Sequence, residues 1–355
     1  MKIAQIAPLV ESVPPKYYGG TERIVSYLTE ELVLMGHDVT LYASGDSITK
    51  ARLRPKTQRA LRLDRHSIEA VADHIFLVEC VFQDSAEFDI IHSHIDYIAY
   101  PLFRRMQTPH LTTLHGRLDI PNLYNLYREF DDIPLVSISN SQRLPLSWAN
   151  WLGTVYHGLP AGLYEYNEKQ GEYLAFIGRI SPEKRVDFAI EAAKKADMPL
   201  KIAAKIDKVD KEYFDTVIKP LLDHPLIDYI GEINDAEKKE FFCNAYALLF
   251  LVEWPEPFGL VMIESMACGT PVVAMMHGSV PEVMEQGITG YVVKDMEGAV
   301  KAVKEVAGLS RKRCREVFED KFTARRMAED YLNIYSAQAK TINQLSESKK
   351  LHSAA

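Results

Sequence analysis

Cysteine is scarce in this chain: Cys80, Cys243, Cys268 and Cys314 are its four, spread over 355 residues. None has the short spacing of a zinc ligand set and the spread offers no disulfide framework, so reduced thiols are expected. Long apolar runs are missing as well, and nothing approaches the roughly 20 residues of a helical membrane span. The opening Met1-Lys2-Ile3-Ala4-Gln5-Ile6-Ala7-Pro8 lacks the apolar length of a signal peptide, which makes a cytoplasmic protein the expectation. Positive charge is not in excess; the formal net charge of -8 argues against nucleic acid as the main partner. No G-x-G-x-x-G follows the first strand, which counts against a dinucleotide oxidoreductase. A G-x-S-x-G nucleophile motif is missing too.

What is present is ordinary globular composition, 47% hydrophobic and 25% charged, in a chain long enough for two cores. Short apolar runs alternate with helical patterns, the mark of parallel α/β architecture. Strands are expected at 3–9, 39–43, 90–94, 111–115 and 135–139, with a helix over 21–35 closed by Gly36. A polar stretch, Tyr164 to Glu172, reads as an interdomain linker. The pattern restarts at Leu174, with further strands at 200–204, 228–231, 247–252, 271–274 and 290–293. The expected domains are 1–163 and 164–322, with a helix over 323–340 reaching back to the first and a disordered tail over 341–355. Ligand is expected in the cleft between the two units.

The most informative stretch runs from Glu256-Pro257-Phe258-Gly259-Leu260 through Glu264 to a second apolar run at Pro271. It sets two carboxylates around a turn that opens an apolar helix. Buried acids need partners, and sugar hydroxyls are simple ones. The same spacing also fits a helix with one favourable acid near its start and another on its solvent face. A glycosidase pair fits poorly, because its carboxyls must sit about 5 Å apart across one bond. Arg179 and Lys184 follow the first strand of the second unit, where α/β sheets bind ligands and two cations can neutralise a diphosphate. Gly19-Gly20, between the first strand and its helix, either brings backbone close to a ligand phosphate or serves a turn needing positive φ. His115 ends an apolar strand, and His94 and Asp96 follow the preceding one.

In order along nearly the whole chain, several segments resemble the retaining glycosyltransferases of family 4. They are Gly19-Gly20-Thr21-Glu22-Arg23, Asp89-Ile90-Ile91-His92-Ser93-His94, Thr113-Leu114-His115-Gly116, Gly178-Arg179-Ile180-Ser181-Pro182-Glu183-Lys184-Arg185 and the two-glutamate segment. The resemblance implies a GT-B fold: two Rossmann-like domains facing across a cleft, with a C-terminal helix returning to the first. It implies transfer of a hexose from a nucleoside-diphosphate sugar, UDP-glucose or GDP-mannose, to an acceptor hydroxyl with retention, and no catalytic metal or other cofactor. Arg179 and Lys184 would hold the diphosphate, Glu256 the sugar hydroxyls and Glu264 the ribose. Phe258, Gly259 and Leu260 would offer backbone N–H groups, with Gly19 and Gly20 also on the donor. His115 would stabilise the transition state, and His94 and Asp96 would touch the acceptor. The alternatives are a nucleotide-sugar-binding regulatory module without turnover and a GT-B epimerase.

One departure from the family pattern is Val252-Glu253-Trp254-Pro255-Glu256, where Glu253 adds an acid that competes for the sugar role. With Val13-Pro14-Pro15-Lys16-Tyr17-Tyr18 it is similar to a subgroup with bacterial glucosyltransferases acting on small molecules such as tetrahydrobiopterin. Saccharide and lipid acceptors occur in the wider family as well. The stretch Lys50 to Arg65 carries seven Lys or Arg against one Asp. It reads either as a solvated loop and helix start or as a weak contact for an anionic membrane or a phosphorylated acceptor.

Overall fold

The computed structural model describes residues 1–16, 19–64 and 69–353, by backbone alone from 341. Tyr17, Tyr18 and Arg65, named above, lie outside the described residues, as do Ala354 and Ala355. The chain forms two compact units, Met1–Gly158 with Ala324–Ala355, and Leu159–Thr323.

The first unit is built on β1 (Lys2–Ile6), β2 (Asp38–Ser44), β3 (Arg52–Thr57), β4 (Ile90–Ser93), β5 (His110–Thr113), β6 (Leu135–Ser137) and β7 (Trp151–Thr154). They pair in parallel in the order β3-β2-β1-β4-β5-β6-β7. The central strands are short apolar runs because helices cover both faces of a parallel sheet. Ala4, Ile6 and Ile91 from the sheet pack with Leu77, Val78 and Val81 of the helix Ala70–Gln83. The strand order reverses between β1 and β4, and such a switch leaves a crevice beyond the strand ends.

Two strands escape the sequence reading. β3 (RLRPKT) carries three cations and Pro55, so it reads as a loop, yet it sits at the sheet edge, where a missing N–H costs no ladder bond. Its Arg54 is held by Asp84 and Glu87, each at 2.7 Å, and Arg62 further on lies 2.7 Å from Glu11. β7 (WLGT) is four residues of intermediate burial with a glycine inside, too weak a pattern to stand out.

The second unit contains β8 (Tyr173–Arg179), β9 (Leu200–Lys205), β10 (Ile227–Gly231), β11 (Ala245–Phe250), β12 (Val272–Met275) and β13 (Gly290–Val293). The parallel order is β10-β9-β8-β11-β12-β13. Leu174, Phe176, Ile202, Leu249 and Val273 form the core with Ala189, Ile190 and Ala193 of the helix Val186–Ala196. Each such large side chain contributes about 1.5–3 kcal/mol on burial. Here the order reverses between β8 and β11.

Tyr164 to Glu172, expected as a linker, is built into this unit. Buried Arg311 donates to the Asn167 carbonyl at 2.7 Å, the Ala245 carbonyl at 3.0 Å and the Thr270 hydroxyl at 2.6 Å. Arg315 adds a bond to the Tyr164 carbonyl at 3.0 Å. The units divide at Gly158/Leu159 and Thr323/Ala324. The last helix, Ala324–Ser353, belongs to the first unit, where Tyr331 and Tyr335 are fully buried. It runs on through most of the expected disordered tail, because 341–353 contains no Gly or Pro and several good helix formers. Among the described residues, no helix is long and apolar enough to cross a membrane.

Candidate active site

In the second unit the candidate residues gather at the strand-order switch. β8 ends at Arg179, and the turn Pro182–Lys184 leads to Arg185, which takes a left-handed φ of 51° before the next helix. Beyond β11 the chain runs through Val252 to Glu256. These two loops are braced against each other: the Glu253 N–H donates to the Glu183 carbonyl at 3.1 Å. Arg185 binds the Glu253 carboxylate, and Lys184 binds that of Glu256. The Lys184 ammonium also lies 4.9 Å from the Trp254 ring centroid, a cation–π distance. Glu253, expected to compete for the sugar, is committed to Arg185 instead. Arg179 meets Glu183 at 2.6 Å and Asp210 at 3.5 Å, so its charge is shared between two carboxylates.

Glu256 and Glu264 fall on different elements. Glu256 precedes the turn; Glu264 lies inside the helix Leu260–Ala267, which follows Gly259 at φ 80°. A Cβ on Gly259 would come 2.7 Å from Met262 Cε and 3.0 Å from Phe250 Cζ. Leu260 opens the helix, so its N–H is one of the first-turn donors without an intrahelical acceptor. Phe258 is buried, and its carbonyl accepts from the Ser279 hydroxyl at 2.8 Å. The Ser279 N–H donates to the Glu256 carbonyl at 3.0 Å. Glu264 is 1% exposed; its Oε1 takes a bond from Lys238 at 2.5 Å, while Oε2 has no hydrogen-bond partner among the described residues.

Lys238 was invisible to the spacing argument. It sits on the helix Asp235–Cys243, whose start is marked by the Asn234–Glu237 capping box. That box is legible in the sequence; the face on which Lys238 points is not.

In the first unit the strand ends carry histidines. His94 follows β4 and His115 follows β5, with His94 Nδ1 and His115 Nε2 at 2.9 Å. His94 Nε2 lies 2.8 Å from Gln5 Oε1, and Gln5 Nε2 donates to the Tyr335 hydroxyl at 3.1 Å. With the Gln5 oxygen accepting from His94 Nε2–H, His94 Nδ1 accepts from His115 Nε2–H. His115 Nδ1 is left as an acceptor, buried and with no hydrogen-bond partner among the described residues. His92 continues the network to Tyr335 at 2.6 Å and Thr113 at 2.7 Å. The ring of His157 stacks on His115 with centroids 5.3 Å apart. Desolvation pushes the His115 pKa down to about 3 and holds His92, His94 and His157 well below the ordinary value, so the cluster is neutral near pH 7.

The expected acceptor contact at His94 does not fit this arrangement: the ring is buried, and both nitrogens are engaged by Gln5 and His115. Asp96 is exposed and takes φ 50°, an uncommon backbone for a residue with a side chain. Gly19 has φ 170°, ordinary extended backbone, so positive φ is not its reason. Crowding is: a Cβ there would meet Pro15 Cβ at 2.8 Å. Gly20 begins the helix Gly20–Leu34, whose first turn already contains the buried Glu22 carboxyl, raised in pKa by desolvation. An anion at that helix start faces this acid. Among the described residues, no group of three or more His, Cys, Asp or Glu is placed to hold a metal ion.

Two switch-point sheets with these strand-end residues define a class, and comparison with known families agrees. The family model for glycosyl transferases group 1 matches residues 165–320, and that for glycosyltransferase family 4 matches 18–157. The chain belongs to the family-4 glycosyltransferases of the GT-B fold, with two Rossmann-like α/β domains. Among individual proteins, it is 28% identical to an uncharacterized glycosyltransferase of Methanocaldococcus jannaschii, over 59% of this chain and 62% of that one. An uncharacterized 41.2 kDa protein in the cps region of Klebsiella pneumoniae is 30% identical over 48% of each chain, so these two matches span about half to three-fifths of the relatives' length. The N-acetyl-alpha-D-glucosaminyl L-malate synthase of Bacillus anthracis is 25% identical over 89% of this chain and 93% of its own. The crystal structure of an avilamycin A biosynthesis glycosyltransferase aligns with TM-score 0.73 and 22% identity, covering 96% of this chain and 98% of that one. Anabaena HepE in complex with UDP and glucose aligns with TM-score 0.74 and 16% identity, over 95% and 100%.

Proposed function

We propose that this protein transfers a hexose from a nucleoside-diphosphate sugar to an acceptor hydroxyl with retention of configuration. The Lys184–Glu256 ion pair, set beside Arg179 at the β8/β11 switch, carries the reading. It brings a cation suited to phosphate and a carboxylate suited to sugar hydroxyls onto one spot, where charge-assisted hydrogen bonds are strongest. Arg179 and Lys184 take the diphosphate charge in this reading, without a metal. Glu256 holds the sugar, Glu264 the ribose, and the backbone N–H groups of Phe258, Gly259 and Leu260 face the same ligand. The Glu22 carboxyl makes Gly19 and Gly20 secondary to Arg179 and Lys184 for phosphate.

No protein nucleophile is assigned. The leaving phosphate oxygen takes the acceptor proton on the face it departs from, and the two cations stabilise its charge. His115, neutral and with Nδ1 accepting, receives a hydrogen bond from a ligand hydroxyl. His94 orients it. The likeness to HepE with bound UDP and glucose supports a UDP-sugar donor. The likeness to N-acetyl-alpha-D-glucosaminyl L-malate synthase and to D-inositol 3-phosphate glycosyltransferase of Mycolicibacterium smegmatis extends the sugars and small acceptors to be tried.

The test is incubation with UDP-glucose, UDP-N-acetylglucosamine and GDP-mannose, with release of nucleoside diphosphate measured alone and with malate, inositol phosphate or cell-extract acceptors. Acceptor-dependent release from one donor is expected. Binding without release in every mixture would turn the reading to a regulatory module. Conversion of the sugar to its epimer would turn it to an epimerase.

A further inference from the structure

A partly exposed cysteine and a buried one are placed together in the second unit. Cys243 ends the helix Asp235–Cys243 and is partly exposed; Cys268 caps the helix Leu260–Ala267 and is fully buried. Their sulfurs are 3.2 Å apart. The same two helices carry Lys238 and Glu264, each about one turn before its cysteine. Cys243 Sγ also lies 3.1 Å from the Glu165 carbonyl, and Arg311 binds the Cys243 carbonyl at 3.1 Å, so the exposed thiol is held toward its partner. With the Cys268 S–H turned to the Cys243 sulfur, that bond lowers the Cys243 pKa and Arg311 adds to the effect, while donating the bond and burial raise that of Cys268. One thiol is therefore the reactive one and the other the resolving one. The remaining pair offers a contrast: Cys314 is buried and bonded to backbone carbonyls, and Cys80 belongs to the other unit.

We propose that Cys243 and Cys268 form a peroxide-oxidisable dithiol that converts reversibly to a disulfide and ties these two helices together. The Cys243 thiolate attacks hydrogen peroxide, giving the sulfenic acid and hydroxide. The Cys268 thiol then attacks that sulfur; the S–S bond forms, the S–O bond breaks, and water leaves with the thiol proton. Two electrons pass from the two sulfurs to the peroxide, and a dithiol reductant reverses the step.

The experiment treats the full chain with hydrogen peroxide, quenches it, and maps the peptides by mass spectrometry with thiol counting. The expected result is loss of two of the four thiols, a crosslinked Cys243–Cys268 peptide pair, and full recovery with dithiothreitol. In Cys268→Ser, Cys243 should instead be trapped as the sulfenic acid by dimedone. Should oxidation leave all four thiols, pair other cysteines, or carry Cys243 to sulfinic acid in the wild-type chain, the proposal is overturned. Cys80→Ser, a change in the other unit, should crosslink as the parent does.

Discussion

Lys184 Nζ is hydrogen-bonded to Glu256 Oε2, with the two side chains 19% and 13% exposed. The residues proposed to grip the two ends of a sugar diphosphate are thus paired with each other. That changes what each one does. The pair keeps both charges satisfied, and under the proposed function binding is an exchange: the ammonium turns to phosphate as sugar hydroxyls turn to the carboxylate.

A unit of this kind should respond to mutation as a unit. Lys184→Met removes the charge that the proposed function aims at the leaving group and should lower kcat by about 10²–10³, the usual loss for one electrostatic donor at a developing anion. Glu256→Gln should lower activity as well. Because each single change disables the same exchange, Lys184→Met/Glu256→Gln should cost little more than the worse single change. Steady-state rates on the active donor decide this; losses that multiply would show two independent contacts.

Most of the architecture was legible. All six strands of the second unit were expected near their positions, the central β8, β11 and β12 from apolar runs, since a strand covered on both faces is largely apolar. β3 was not, because an edge strand tolerates Pro55 and charge that a central strand excludes. Arg179, Lys184 and Glu256 were placed by motif and by their position at strand ends. Partners were the hidden part. Nothing in spacing tells that Lys238 reaches Glu264, or that Arg185 takes Glu253, because those contacts cross between separate helices and loops. The surroundings of His94 were hidden for the same reason: they include Gln5, distant in sequence and adjacent across β1 and β4.

The histidine cluster makes stability sensitive to acid. For His92, His94, His115 and His157, the folded pKa lies below the unfolded value near 6.5. The unfolded chain therefore binds more protons once pH falls through that value. Their contribution is complete above pH 6.5 and is lost on the way down, for His115 until about pH 3. Each histidine adds up to about 1.4 kcal/mol per pH unit to the slope. Denaturant unfolding between pH 7.5 and 5 should show stability falling with acid, and less steeply in His92→Gln. A flat profile would mean that these rings are not held neutral.

Gly278 positions Glu256 from the far side. Its φ is +55°, and a Cβ there would lie 2.3 Å from the Glu256 carbonyl oxygen and 2.4 Å from its nitrogen. Backbone cannot yield as a flexible side chain does. Gly278→Ala should therefore displace the Glu256 segment, costing about 1–3 kcal/mol in stability by overpacking. It should also raise the donor KM. Thermal unfolding and donor titration read the two effects separately, and an unchanged KM would show that Glu256 is not held through Gly278.

Glu264 poses a different question, whether a buried carboxylate serves the fold or the ligand. Lys238→Met takes away the cation 2.5 Å from Glu264 and leaves the charge buried, which should cost about 3 kcal/mol. Adding Glu264→Gln removes that charge and should return most of the loss, because an unpaired buried ion is dearer than an amide. Urea midpoints measure this recovery, and no recovery would mean that Lys238 stabilises by packing alone. Nucleotide affinity then separates the roles. The Oε2 atom that Lys238 does not reach is the one that the proposed function gives to a ribose hydroxyl, and the double variant lacks its charge. Restored stability with weakened nucleotide binding is the expected outcome. If both returned together, Glu264 would be a structural acid whose only partner of consequence is Lys238.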